Sequence, residues 1–188
     1  MRVTGGRLGG RTLKAPRGRA TRPTSDRARE SLFQILGALD GLRVADLYAG
    51  TGALGIEALS RGAAWVTFVE AERAAAKVLR ENLAALELGA TTQVLVLPVE
   101  RAAEPLRARA PYDLVLADPP WADAARAMTT LVMLLPALAL RAGGRLVVEH
   151  AARDALPVPA GFPLVLTDAR AWGDTAVSMF SAPTPGKG

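Results

Sequence analysis

Cysteine is absent from the 188 residues and histidine occurs once, as His150. Without cysteine there are no disulfides, no thiolate zinc sites, no iron–sulfur clusters and no sulfur nucleophile for covalent methyl transfer to a pyrimidine carbon. With a single histidine a His-centred metal site is improbable, so no metal is expected; His150 reads as an ordinary loop residue after the strand Arg145-Leu-Val-Val-Glu149. Long hydrophobic runs are missing too. The most apolar stretch, Met128–Leu140, is interrupted by Pro136 and falls short of the roughly 20 residues that a bilayer span needs. It reads as a helix buried against a sheet. The chain opens with Arg and Gly rather than a charged stub and an apolar core, so a cytoplasmic protein with no membrane partner is expected. Lysine is scarce, at three residues against twenty arginines. That balance favours bidentate phosphate contacts, although a GC-rich genome or a thermophilic host would leave the same imprint.

Charge is unevenly placed. Residues 1–30 hold nine basic side chains against Asp26 and Glu30, a local excess of seven in a chain whose net charge is +5. A basic arm on a nearly neutral body is the electrostatic footprint of a polyanion partner. Its interspersed glycines leave little apolar area, so residues 1–24 are expected to form a short hairpin, a loop that orders on RNA, or a solvated tail. Residues 25–181 have the size of one domain with a sizeable core. The segment 182–188 is rich in Pro and Gly and reads as a frayed tail.

Along residues 25–181, apolar runs alternate with helical patterns, which predicts an α/β doubly wound, mostly parallel seven-stranded sheet. Strands are expected near 43–47, 65–69, 93–97, 112–117, 144–149, 163–167 and 176–180. Helices are expected near 53–61, 72–88, 100–109 and 123–140, the last kinked or broken at Pro136. Ala28, Leu32, Ile35, Leu36 and Leu39 recur at helical spacing, so residues 25–39 read as an amphipathic helix covering one end of the sheet.

Two motifs carry chemistry. Asp118-Pro119-Pro120-Trp121 follows the apolar run 112–117. It puts one carboxylate, a rigid turn without N–H donors, and one aromatic face at a strand end. An amine on a flat ring is a poor nucleophile, and acceptors on its N–H groups push it toward an attacking geometry. Asp118 and the Pro119 carbonyl are candidate acceptors, with Trp121 stacking on the ring; the plain alternative is a strand-stopping turn. Upstream, Asp46-Leu-Tyr48-Ala-Gly50-Thr-Gly52-Ala-Leu-Gly55 reads as a strand end, a glycine turn and a helix start. Glu70 ends the next apolar run, 20 residues beyond Gly50, where such sheets place an acceptor for ribose hydroxyls. The glycines also match a dinucleotide fingerprint. Asp46 would repel a pyrophosphate but attract the cationic amino-acid end of S-adenosylmethionine, so that cofactor is expected.

These two motifs together resemble the class I methyltransferases that modify exocyclic amines of nucleobases. Gly5-Gly6-Arg7-x-x-Gly10-Arg11-x-Leu13 and Arg22-Pro23-Thr24-x-Asp26-Arg27-x-Arg29-Glu30-x-Leu32-Phe33 narrow the resemblance to the RsmD-type enzymes that methylate guanine N2 in 16S ribosomal RNA. It runs over essentially the whole chain, from about Arg2 to about Phe180. It implies that Asp46, Tyr48, Gly50 and Gly52 line the cofactor, that Glu70 holds its ribose, and that Asp118, Pro119, Pro120 and Trp121 hold the target guanine. Arg7, Arg11, Arg22, Thr24 and Arg27 would meet RNA or close over the site. The implied partner is 16S rRNA within a small-subunit assembly particle, acted on by a monomer. Two positions depart from the family pattern. Trp121 replaces the more usual Tyr or Phe, and Leu97-Pro98-Val99-Glu100 lacks the Asp or Asn that reaches the adenine amino group, leaving Glu100 as its stand-in. Other acceptors, such as adenine N6 or glutamine, and a non-catalytic RNA-binding assembly factor remain as alternatives.

Overall fold

The computed structural model describes residues 1–15 and 26–184. The chain builds one seven-stranded sheet: β1 Arg43–Leu47, β2 Trp65–Val69, β3 Thr92–Leu95, β4 Leu114–Ala117, β5 Arg145–Ala151, β6 Val165–Trp172 and β7 Thr175–Ser181, of which β1, β2, β4 and β5 are apolar runs with a carboxylate at or near their carboxyl ends. Their order is β3-β2-β1-β4-β5-β7-β6. All pairings are parallel except those of β7, which runs antiparallel to both β5 and β6. The chain leaves β1 toward β2 and β3, then returns to build the other half from β4. Order therefore reverses between β1 and β4, the place where sheets of this kind bind ligands.

Helices cover both faces, as expected of a parallel sheet. α1 (Asp26–Leu36), α2 (Ala53–Ser60) and α3 (Arg73–Ala85) pack on one face; α4 (Ala103–Arg107) and α5 (Ala124–Leu138) pack on the other. Side-chain alternation divides the strands between the two cores. Val44, Val66, Leu114, Leu116 and Val147 face α1–α3, while Ala45, Leu47, Val115, Leu146 and Val148 face α4 and α5. Asp46 shares the parity of Val44. Continuing the alternation, Asp118 follows Leu116 and Glu149 follows Val147, so all three carboxylates point to the α1–α3 side.

Several elements differ from the sequence-based expectation. The expected helix near 100–109 shortens to a 3-10 turn, Val99–Arg101, and the five residues of α4. The expected kink at Pro136 does not occur. α5 runs through it and ends at Ala139 (φ 43°), because a proline in the last turn removes only one hydrogen bond from a helix about to stop. β6 is expected at 163–167 but runs Val165–Trp172, paired to β7 through a turn at Gly173. His150 is not a loop residue. β5 continues to Ala151 because β7 supplies antiparallel partners as far as Ala151↔Thr175, and buried His150 pairs through Nε2 with Ser178 Oγ at 3.0 Å.

The N-terminal residues form a small loop closed by one antiparallel bridge, Arg2↔Thr12, with a 3-10 turn at Gly6–Leu8. Val3 and Leu13 are buried in the same core as α1 and α2. Polar anchors fix this loop to the domain. Fully buried Glu57 accepts from the Thr4 backbone N–H and from Thr4 Oγ1, both at 2.7 Å, and from Arg61 Nε at 2.8 Å. Arg29 Nε lies 3.5 Å from the same carboxylate. Asn82 accepts from Lys14 N at 2.9 Å and donates to the Lys14 and Thr51 carbonyls. Among the described residues no helix is long and apolar enough to cross a membrane.

Removing one partner of a buried ion pair strands the other charge, at a cost of about 3–5 kcal/mol. Glu57→Ala is therefore expected to lower the unfolding free energy by about that amount, measured by urea denaturation. Lys14→Ala, whose ammonium meets Glu81 on the surface, should cost under about 1 kcal/mol.

Candidate active site

A cavity of about 1100 Å³ opens at the carboxyl ends of β1, β2 and β4. It takes in nine of the residues singled out from the sequence: Asp46, Tyr48, Gly50, Glu70, Glu100, Asp118, Pro119, Pro120 and Trp121. Local structure explains each placement. β1 ends at Leu47, and Tyr48 (φ 60°) and Gly50 (φ 56°) turn the chain through the left-handed region. A left-handed conformation at a residue as bulky as Tyr48 costs energy and is held by its surroundings. Space beside Gly50 is open, so a ligand can approach the backbone there. Gly52 (φ 87°) caps α2, and a Cβ there would lie 2.3 Å from Leu79 Cδ1. It packs against Leu79 and stands between Thr51 and Ala53, which line the cavity, without lining it itself.

Two carboxylates brace this turn. Asp46 Oδ2 accepts from the Gly55 N–H at 2.8 Å, tying the end of β1 to the first turn of α2. Glu70 accepts from the Gly50 N–H through Oε2 and from the Glu72 N–H through Oε1, both at 2.7 Å. Carboxylate oxygens each accept more than one hydrogen bond, so Glu70 keeps acceptor capacity toward the cavity.

The arrangement gathers negative charge. Seven acidic residues line the cavity (Asp46, Glu70, Glu72, Glu100, Asp118, Asp123 and Glu149) against two arginines, Arg29 and Arg126. Burial, reinforced by Glu70, pushes Asp46 up to about 7 even though the Gly55 N–H works in the opposite direction. Asp118 is raised well above the ordinary carboxylate range by burial first, then by Glu149 and Asp46. Part of its surface nevertheless opens into the cavity. On the far wall Glu100 pairs with Arg126 at 2.7 Å. Tyr48 is pushed up to about 12 by burial and by Glu100.

Not every residue singled out from the sequence reaches the cavity. Arg7 and Arg11 are exposed on the N-terminal loop, and Arg11 Nη2 donates to the Ala85 carbonyl at 3.3 Å. Arg27 lines a separate depression with Arg2, Asp26 and Glu30. Arg22 and Thr24 lie outside the described residues. Of the cavity residues that the sequence reading did not single out as site residues, Glu149 and Arg29 each left a signal. Glu149 ends an apolar run just as Glu70 does. Arg29 occupies the apolar stripe of α1 at the spacing of Leu32, Phe33 and Leu36. It is 1% exposed, bonds Asp26 and the Arg2 carbonyl through Nη2 and ion-pairs with Glu57 through Nε at 3.5 Å, while its buried Nη1 has no hydrogen-bond partner among the described residues. A buried guanidinium donor of this kind beside a cavity fits an anionic ligand group.

A seven-stranded sheet of this order, with a braced glycine turn after β1 and Asp-Pro-Pro-Trp after β4, defines a class I methyltransferase. The chain belongs to the family described as conserved hypothetical protein 95, whose model matches residues 1–181. Relatives agree across most of its length. The YlbH protein of Bacillus subtilis strain 168 is 37% identical over 182 residues, covering 96% of this chain and 98% of that protein. Escherichia coli K12 ribosomal RNA small subunit methyltransferase D is 39% identical over 122 residues, which span 64% of this chain and 60% of that protein. Among solved structures, the YhhF protein of Escherichia coli superposes with a TM-score of 0.80 at 34% identity, covering 98% of this chain and 99% of that one.

The raised Asp46 pKa has a measurable consequence. Because the folded value of about 7 exceeds the unperturbed 3.8, the folded state holds the proton more tightly than the unfolded chain. This contribution to stability is fully present below about pH 4 and is lost as pH rises toward 7, at up to about 1.4 kcal/mol per pH unit. Asp46→Asn is expected to flatten that decline and to be more stable than the parent at pH 8, measured by urea unfolding at pH 5 and pH 8 without ligand.

Proposed function

We propose that this protein transfers a methyl group from S-adenosylmethionine to the exocyclic N2 of a guanine in 16S ribosomal RNA. The observation that carries the reading is the convergence of Asp46, Glu70 and Asp118 on one cavity beside Trp121 and buried Arg29. S-adenosylmethionine supplies an electrophilic methyl group on a cationic sulfonium together with a zwitterionic amino-acid end. The residues fit that ligand. Asp46 and the open backbone at Gly50 take the cationic part, Arg29 offers its Nη1 donor to the carboxylate, and Glu70 takes the ribose hydroxyls. Glu100, held by Arg126, borders the remaining volume.

At the other side of the cavity, Asp118 and the Pro119 carbonyl accept from the two N–H bonds of the target amine. Loss of those N–H bonds' planarity exposes the nitrogen lone pair, and the site contributes mainly orientation and hydrogen bonding. Trp121 stacks on the ring and keeps the amine in line. Guanine N2 faces the minor groove of a paired helix, so the base is turned out of its stack to reach Trp121. As the new N–C bond forms, the amine proton becomes acidic and passes to Asp118, whose raised proton affinity suits it to receive one. The exposed Arg7 and Arg11 and the basic arm contact RNA phosphates. The relatives named for ribosomal RNA, and the pairing of this arm with a nearly neutral domain, favour RNA over a protein acceptor.

The test incubates the protein with S-adenosylmethionine and small ribosomal subunits lacking the modification, and quantifies methylated nucleosides by mass spectrometry. N2-methylguanosine is the expected product, and absence of any methylated nucleoside overturns the reading. Asp118→Ala is expected to lower turnover by about 10²–10³-fold, the scale of losing a transition-state contact, while cofactor affinity measured by calorimetry changes only a few-fold. Replacing Arg7 and Arg11 with alanine should weaken RNA binding and make the salt dependence shallower by about one to two units of log–log slope.

A further inference from the structure

The methyl-transfer scheme above uses one carboxylate at the amine and leaves Glu149 without a task. Glu149 is 5% exposed, lines the same cavity as Asp118 and acts electrostatically on it. Its position is fixed by the sheet. The parallel register of β4 and β5 pairs Ala117 with Val148. The next residues on the two strands, Asp118 and Glu149, therefore stand side by side on the same face, about one strand spacing of ~4.8 Å apart. Burying two carboxylates together raises the energy of both. Chemistry that needs a single acceptor would be served by Asp118 and an apolar neighbour.

A second acceptor makes sense against the edge of the ring that carries the amine. Guanine presents two adjacent donor groups there, N1–H and the N2 amine. Adenine and cytosine present an amine next to a ring nitrogen that is a hydrogen-bond acceptor. A pair of neighbouring carboxylates matches guanine and sets a lone pair against a carboxylate for the other two bases. Carboxylate oxygens accept several hydrogen bonds at once, so this task is compatible with other contacts Glu149 makes. We propose that Glu149 is a specificity-determining residue that accepts the N1–H of the target guanine while Asp118 holds its N2 amine. This inference rests on the guanine-N2 reading above.

The experiment compares two acceptors, small ribosomal subunits reconstituted with RNA that carries guanine at the methylated position in one and 2-aminopurine in the other. The second ring keeps the amine on C2 but replaces N1–H with an acceptor nitrogen. The wild-type protein is expected to prefer guanine in kcat/KM by at least about 10²-fold, because a buried site built for a donor rejects the analogue lacking it. Glu149→Gln, whose amide can donate as well as accept, should slow guanine methylation and shrink the preference to within about tenfold. A wild-type protein that methylates both rings equally well overturns the inference, whatever the variant does. A variant that slows both rings by the same factor also overturns it, since a purely structural carboxylate would not move the ratio. Methylation of neither ring by the wild type removes the guanine-N2 reading itself, and the inference falls with it.

Discussion

Negative charge held at one end of the sheet is the constraint around which this molecule is organised. Asp46, Glu70, Asp118 and Glu149 stand at or near the carboxyl ends of four strands and meet in a cavity with few cations. Water is largely excluded from Asp46 and Glu149, which are 1% and 5% exposed, so their repulsion is weakly screened. The fold tolerates this through specific backbone donors: Gly55 to Asp46, and Gly50 and Glu72 to Glu70. Those donors are backbone N–H groups of the β1–α2 turn and of the segment leading into α3, so the glycine turn serves the carboxylates as much as any ligand. A cationic ligand entering this crevice relieves strain already present in the isolated protein. Binding and stability are thereby coupled through the same few side chains.

The counterweight lies in α1 and α2. Glu57 and Arg29 are both fully buried on the face where the strand-end carboxylates point. Through Arg61, Thr4 and Asp26 they tie the N-terminal loop, α1 and α2 into one polar cluster. Among the described residues the same cluster leaves Arg29 Nη1 without a hydrogen-bond partner next to the cavity. A network that satisfied every donor would be more stable; this one holds back a donor beside the crevice.

Much of this was legible in the sequence. The strands that end in carboxylates announced themselves because a buried parallel strand is a short unbroken apolar run, and a charge can follow it only where the chain emerges. β1, β2, β4 and the Asp-Pro-Pro-Trp turn are of this kind. The buried face of α3 lies in the helical spacing of Ala75, Leu79 and Leu83. Less legible were features set by partners distant in sequence. β5 and β6 extend beyond their apolar runs because β7 supplies backbone partners to both, and nothing local in His150 or Arg170 predicts that. Arg29 was read as one more basic residue of the arm, since charge counting ignores that it occupies the apolar stripe of a helix. Glu149 was read as a strand terminus because its neighbour across the sheet, Asp118, is 31 positions away and their register is a property of the fold.

The anchoring of the N-terminal loop also bears on how the chain is assembled. Residues 1–15 leave the ribosome well before their docking partners Glu57, Ser60 and Asn82, which lie 52 to 68 positions further along the chain. The segment must stay undocked until α2 and α3 have formed and packed on β1 and β2, a non-local closure of the kind that slows folding. A segment made before α2 and α3 thus docks only after them, and the contact of Arg29 with the Arg2 carbonyl at the cavity wall waits on that docking.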